Sequence, residues 1–398
     1  MWRSIMRTVE LAAKWDPVKT FKLGAKDIEG ELTYLGAQVW RNPEVRVLEK
    51  EKPKIKPNEV LIKVKRCGIC GSDVHMAQTN ADGYILYPGL TAFPVTLGHE
   101  FAGEVVEVGV DAFNKRTNKK FEINEPVTVE EMVWCGKCRP CCDGYPNHCE
   151  RLQEIGFSID GAFAEFIAVP AKLCWSLKKL EDKVDDLYKL GSLVEPTSVA
   201  YNAVIERGGG IRPGQNVVIL GAGPIGIAAT KILKSAGAAI CIVSEPSPAR
   251  AKLAKLMGAD YVVNPQKENF VERVKEITDG EGAKLYLEAT GLPMMVIDDI
   301  QNAIWECRGV NSIVVIVARA EERMPVCGEY FQVKRSNIVG AQGHSGHGTF
   351  PNVINLMAAG LCDVSPMVTK EILLDDVPQH LKILQMDKEN CKISVKIS

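Results

Sequence analysis

Four cysteines at fixed offsets, Cys135, Cys138, Cys141 and Cys149, constrain this chain more than any other feature of it. The pattern Cys-x2-Cys-x2-Cys-x7-Cys lets one short segment bring four thiolates to a tetrahedral ion, and zinc suits a closed set of soft ligands. A site of that kind is structural: it leaves no open position and stabilises its own lobe. Gly136 and Gly144 help the segment wrap an ion, because glycine tolerates backbone angles that other residues avoid. His148 competes with Cys149 as the fourth ligand, and Cys142 sits beside Cys141. The total of 13 cysteines is odd and five of them crowd between 135 and 149. With no signal-like N-terminal pattern, that clustering favours metal over disulfides. A redox-labile Cys-x2-Cys pair is the alternative.

A length of 398 residues suits two domains, and 46% hydrophobic with 25% charged residues is the balance of a globular protein. Basic and acidic residues, 48 and 50, nearly cancel, which removes the electrostatic reason to expect nucleic acid or an anionic membrane as a partner. No charge-free run is long enough to span a bilayer. A cytoplasmic protein is expected. The first half reads as an irregular β domain, with strands at Val60–Val64 and from Phe101 to Gly109 and further strands between Asp160 and Pro170. Residues 111–130 read as an inserted loop or edge hairpin, and Leu177–Leu190 as a solvated helix or loop.

Past Gly208-Gly209-Gly210 the pattern changes. Asn216–Leu220, Ala239–Val243, Tyr261–Val263, Leu285–Leu287 and Ile313–Val317 are apolar runs separated by helical stretches. That is the rhythm of a parallel sheet covered by helices. Gly221-x-Gly223-x-x-Gly226 lies between the first of these runs and the helical segment opened by Pro224 and Ile225. In that context the three glycines serve a tight turn, close approach of backbone to a pyrophosphate, and close helix–strand packing. The helix N-terminus then presents free N–H groups to phosphate. Glu245, after the second strand, stands near the place of a carboxylate that binds the adenosine ribose and repels a 2′-phosphate, which favours NAD. Arg250 nearby is suited to a phosphate and pulls toward NADP.

Cys70, in Cys70-Gly-Ser72-Asp73-x-His75, and His99, in Gly98-His99-Glu100, are candidates for a second, catalytic metal, against ordinary core and loop roles. These motifs, taken in order, resemble the zinc-dependent medium-chain alcohol and polyol dehydrogenase family from about Val45 onward, with Gly98-His99-Glu100-x2-Gly103-x5-Gly109 as the family signature. The resemblance implies a β-rich GroES-like catalytic domain at 1–200 and 345–398, with a zinc lobe at 130–150, and a doubly wound Rossmann cofactor domain at 201–344. It implies two zinc ions and NAD. Cys70, His99 and Glu195 are the expected catalytic-zinc ligands, with Glu100 able to approach the metal directly or through water, and Cys67 is assigned to the core. Glu195 replaces a cysteine of the alcohol-oxidising branch, as in the sorbitol-dehydrogenase-like branch.

The family relay carries the substrate proton through Ser72, the nicotinamide ribose and His75 to solvent, while hydride passes to NAD. Asp73 supports the local loop. The long N-terminal extension, the lengthened stretch Asn80–Pro94 and the segment Gly340–Phe350 resemble inositol-related members acting on scyllo-inosose or scyllo-inosamine. Gln342, His344 and His347 are then candidate substrate residues, with a glycine-rich turn carrying solvated imidazoles as the other reading. Trp40, Tyr84, Tyr87 and Phe93 line the pocket or belong to the core. A sorbitol, threonine or diol dehydrogenase is the enzymatic alternative, and a non-catalytic nucleotide-binding protein the alternative of another class. The family also implies a homo-oligomer, tetramer or dimer.

Overall fold

The computed structural model describes residues 4–24, 26–28, 30, 32–114, 116–320, 323–384, 387 and 389–397. The chain divides into two units. The first comprises Met1–Glu195, Lys370–Asp387 and Lys392–Ser398, and the second Pro196–Thr369 and Lys388–Cys391.

The first unit is built on antiparallel strands. Strand Glu59–Ile69 is buried along most of its length, which suits a central strand covered on both faces. It pairs with Glu100–Val108, with Phe166–Pro170 and with Lys392–Lys396. Among the described residues these belong to a seven-stranded sheet. Pro126–Val129 extends that sheet and is fully buried between Glu100–Val108 and Cys174–Ser176. The polar character of 111–130 had hidden this strand, because its four residues follow a stretch dominated by Asn, Lys and Glu. A separate hairpin pairs Ile5–Trp15 with Trp40–Glu51. Trp40 packs edge-on against Trp15 and Phe93, so Trp40 and Phe93, together with Tyr87, belong to the core. Leu177–Leu190 contains a short 3-10 turn at Lys178–Leu180 and leads into helix Leu187–Ser192.

The second unit holds a parallel sheet, six-stranded among the described residues. Its order is Tyr261–Val263, Cys241–Ser244, Val217–Leu220, Leu285–Glu288, Ile313–Ile316, Asn337–Gly340, and every pair is parallel. Intervening helices include Pro224–Ser235, Pro248–Leu256, Phe270–Ile277 and Pro293–Glu306. This is the doubly wound order, with its switch point between Val217–Leu220 and Leu285–Glu288. The expected α/β class, with one β-rich unit and one unit built on a Rossmann sheet, is the observed one.

Close backbone approach fixes both units. A Cβ on Gly103 would lie 2.2 Å from the Lys63 carbonyl oxygen of the neighbouring strand, and one on Gly226 would lie 1.9 Å from that of Gly221. Neither obstacle is the yielding end of a flexible side chain. Gly103→Ala is therefore expected to destabilise the fold by about 1–3 kcal/mol, read as a lower apparent Tm.

Candidate metal centre and nucleotide site

Strand register assembles the first cluster. In the pairing of Glu59–Ile69 with Glu100–Val108, Gly68 faces Glu100 and Cys67 faces Phe101. Cys70, just past one strand, and His99, just before the other, therefore emerge at the same end of the sheet. On the opposite side of Glu59–Ile69, Ser394 faces Gly68 and Ile393 faces Ile69, which carries Lys392 to the same level. Ligand atoms of Cys70, His99 and Glu100 all lie within 4.8 Å of one another.

Each donor is held by its surroundings. Cys70 is the N-cap of helix Gly71–Ala77, and its N–H donates to Asp73 Oδ2 at 2.9 Å. Asp73 is fully buried, and its Oδ1 lies 3.7 Å from His99 Nδ1. The carboxylate thus faces the Nδ1 edge of the imidazole. Burial works against charge on His99, but Asp73 first, then Cys70 and Glu195, outweigh it and raise the imidazole well above its ordinary range. The His99 ring also packs on Phe157, with centroids 4.6 Å apart. Glu195 is buried at the start of helix Val194–Tyr201 and acts electrostatically on His99, Glu100 and Lys392, but it is not part of the close triad. A thiolate, an imidazole and a carboxylate fit zinc as a three-ligand set with an open position.

Lys392 is the residue that sequence reasoning missed. Its ammonium donates to both Glu100 oxygens, at 2.6 and 2.7 Å, and to the Ile69 carbonyl at 3.0 Å. The pair is almost wholly buried. Burial disfavours the charge on Lys392, but the Glu100 carboxylate overcomes this and holds its pKa above the usual value. Gly68 makes room for the carboxylate: a Cβ there would meet Glu100 Oε2 at 2.1 Å. Around this cluster, the Ser72 hydroxyl is buried without a hydrogen-bond partner among the described residues, while His75 is exposed.

The second cluster gathers Cys135, Cys138, Cys141 and Cys149. The N–H groups of Cys135 and Arg151 point at Cys149 Sγ, at 3.3 and 3.4 Å, and that of Lys137 at Cys135 Sγ, at 3.5 Å. Donors of this kind favour thiolate, and the Lys137 N–H first among them draws Cys135 down to about 6. Burial pushes Cys141 up to about 12. Four convergent sulfurs served by N–H groups fit a closed zinc site. Both competitors, His148 and Cys142, are exposed and outside the cluster.

In the second unit, Gly221 turns at a φ of 97°, and an added Cβ at Gly223 would meet nothing within 4 Å. That open face, leading to Pro224 and Ile225 at the helix start, is room for a pyrophosphate. Glu245 accepts from Ala222 N and from Ser247 N, both at 2.8 Å, one on each oxygen. Arg250 turns its Nε and Nη2 to the Asn390 carbonyl, at 3.3 and 2.9 Å. Among the candidate substrate residues, Gln342 and His347 are exposed, whereas His344 is fully buried with its ring edge-on to Phe350. The main chain here is tied down by Asn202, whose Nδ2 donates to the carbonyls of Gln342 and Gly343 at 3.2 and 2.8 Å.

The buried pair generates a stability prediction. Lys392→Met leaves a buried carboxylate without its cation and is expected to cost about 3–5 kcal/mol. Adding Glu100→Gln removes the second charge and should recover most of that loss. Urea unfolding of the single and double variants measures both.

Two family models match the chain, "Alcohol dehydrogenase GroES-like domain" over residues 56–179 and "Zinc-binding dehydrogenase" over residues 224–359. A scyllo-inosose 3-dehydrogenase of Thermotoga maritima is 63% identical over 393 residues, covering 98% of this chain and 99% of that protein. An L-threonine 3-dehydrogenase of Caldanaerobacter subterraneus subsp. tengcongensis is 33% identical over 339 residues, covering 85% and 91%. A solved structure from Thermotoga maritima, an alcohol dehydrogenase by provisional description, superposes with a TM-score of 0.96 at 62% identity, covering 98% of this chain and 100% of the other. With the signature segment at 98–109 standing where the strand ends that carry Cys70, His99 and Glu100 meet, the chain belongs to the zinc-dependent medium-chain alcohol dehydrogenase family.

Proposed function

We propose that the chain oxidises a secondary alcohol of an inositol-type cyclic polyol, with NAD as hydride acceptor and two zinc ions per subunit. Identity of 63% over 98% of the chain to a scyllo-inosose 3-dehydrogenase is the observation that carries the substrate class. L-threonine is the second reading, favoured by the relative that is 33% identical.

In this reading Cys70, His99 and Glu195 hold the catalytic zinc, Glu100 stands beside it, and Cys135, Cys138, Cys141 and Cys149 hold the structural one. Zinc supplies Lewis-acid polarisation of the substrate hydroxyl, which lowers its pKa as it does that of bound water. Ser72 relays the proton that the hydroxyl gives up, accepting it as it passes its own toward the nicotinamide ribose. Its oxygen is buried and has no hydrogen-bond partner among the described residues, which suits that role. His75, exposed on the same short helix, releases a proton to solvent. Asp73 orients His99 and caps the Cys70 turn without exchanging protons itself.

Gly221, Gly223, Pro224, Ile225 and Gly226 receive the pyrophosphate, and Glu245 the adenosine ribose. Each Glu245 oxygen takes one backbone N–H and keeps lone-pair capacity for a ribose hydroxyl. Arg250 spends two donors on Asn390, which reduces what it offers a 2′-phosphate and supports NAD over NADP. Gln342 and His347 present polar groups to the polyol, and buried His344 shapes the turn that carries them. A dimer or tetramer is the expected assembly.

The test is formation of NADH by zinc-replete protein offered scyllo-inosose, myo-inositol, scyllo-inosamine, sorbitol, L-threonine and simple diols, with NADP as comparator. Turnover confined to an inositol-type compound and NAD is expected, falling at least about 100-fold in Glu195→Ala. Preference for threonine or a linear polyol would discard the inositol assignment. Cys141→Ala is expected to halve the zinc content by metal analysis and to lower the apparent Tm, because a closed zinc site contributes folding energy to its lobe.

A further inference from the structure

Strand Leu285–Glu288 of the second unit ends in a buried carboxylate. Glu288 Oε1 accepts three hydrogen bonds, from Thr290 N at 2.8 Å, Thr290 Oγ1 at 2.6 Å and Gly291 N at 3.1 Å. Its Oε2 is buried without a partner among the described residues, so these three donors carry what offsets the cost of burying the group. The Thr290 hydroxyl in turn accepts from Leu292 N at 2.9 Å, and Ala289 N donates to the Leu220 carbonyl at 2.9 Å. All four N–H groups from Ala289 to Leu292 are therefore spent inside the unit. The backbone of this turn has only carbonyl oxygens left to offer a ligand.

The place of the turn gives those oxygens a use. A Cβ on Gly221 would lie 2.9 Å from the Ala289 carbonyl oxygen and 3.2 Å from Thr290 Cγ2, so this turn abuts the glycine turn. Strand Val217–Leu220 lies between Cys241–Ser244, which leads to Glu245, and Leu285–Glu288. A dinucleotide with its adenosine ribose at Glu245 and its pyrophosphate at Gly221–Gly226 carries its other half toward the end of Leu285–Glu288. The two lips of that crevice are chemically unlike. The helix start at Pro224 offers donors to phosphate, whereas the turn after Glu288 offers acceptors. Acceptors suit the hydroxyls and carboxamide N–H groups of a nicotinamide riboside.

We propose that Glu288 is a positioning residue for the nicotinamide-riboside half of the dinucleotide: by drawing the Thr290 and Gly291 N–H groups inward, it gives the crevice its acceptor lip. This rests on the reading of Gly221–Gly226 and Glu245 as a dinucleotide site. Without the carboxylate those donors lose their partner, and the turn rearranges beside Gly221.

The test measures NAD and AMP binding to the zinc-replete protein by calorimetry, AMP filling the adenosine side alone. Glu288→Ala is expected to raise the Kd for NAD about 10-fold and to leave that for AMP within about twofold. A general loss of structure would weaken both ligands alike. Glu288→Gln, which keeps one oxygen for the three donors, should recover most of the loss. Thr290→Val, which removes one of the donors, should weaken NAD by a smaller factor and spare AMP. Unchanged NAD binding in folded Glu288→Ala would overturn the proposal, as would equal weakening of NAD and AMP, or a Gln variant as impaired as the Ala one. Where Glu288→Ala does not fold, Thr290→Val decides: a loss confined to NAD supports the proposal, and no loss overturns it. Failure of the wild-type protein to bind NAD would instead overturn the dinucleotide reading, and this proposal with it.

Discussion

The antiparallel pairing of Glu59–Ile69 with Glu100–Val108 and Lys392–Lys396 is the interaction on which the first unit depends. Register alone brings together groups that lie far apart in the chain: Cys70, His99, Glu100 and Lys392. Because side chains alternate along a strand, a slip by one residue would turn the members of this cluster to the wrong face. The close approach of Gly103 to the Lys63 carbonyl and the seat that Gly68 gives Glu100 oppose such a slip. Packing and chemistry are joined here: the glycines that let the strands lie close also place the carboxylate.

The second unit relies on the same principle in parallel form. Leu220 faces Ser244 on one side and Glu288 on the other, so Gly221, Glu245 and Ala289 emerge together at the carboxyl ends of the strands. Glu245 then ties the glycine turn to the next helix start through Ala222 and Ser247. A carboxylate held in this way does not have to be ordered when a ligand arrives, which lowers the entropic cost of binding.

What the sequence made legible was local. The four thiols declare themselves because their spacing is short, and the glycine turn because it sits between an apolar run and a helical one. Cys70 and His99 became persuasive only through family resemblance, since their meeting depends on strand pairing. Lys392 carried no signal at all. It is one of many lysines in the chain, and its partner lies 292 residues away. Strand Pro126–Val129 escaped notice because it is short and follows a polar stretch. In Gln342–His347, side-chain chemistry offered His344 and His347 as substrate candidates with Gln342 as an amide partner, or else a turn with solvated imidazoles. The structure buries His344 and leaves Gln342 and His347 exposed, and Asn202 holds the main chain at Gln342 and Gly343.

The segment between Cys70 and His99 leaves one fixed strand end and returns to another. Its two ends are set by register, and between them helix Gly71–Ala77 and the strand pair Val95–Thr96 with Ile5–Trp15 hold it as well. The stretch Asn80–Pro94 is itself no loose appendage: Ile85, Tyr87, Leu90 and Phe93 are buried, so it shares the packing of the unit that fixes the two strand ends.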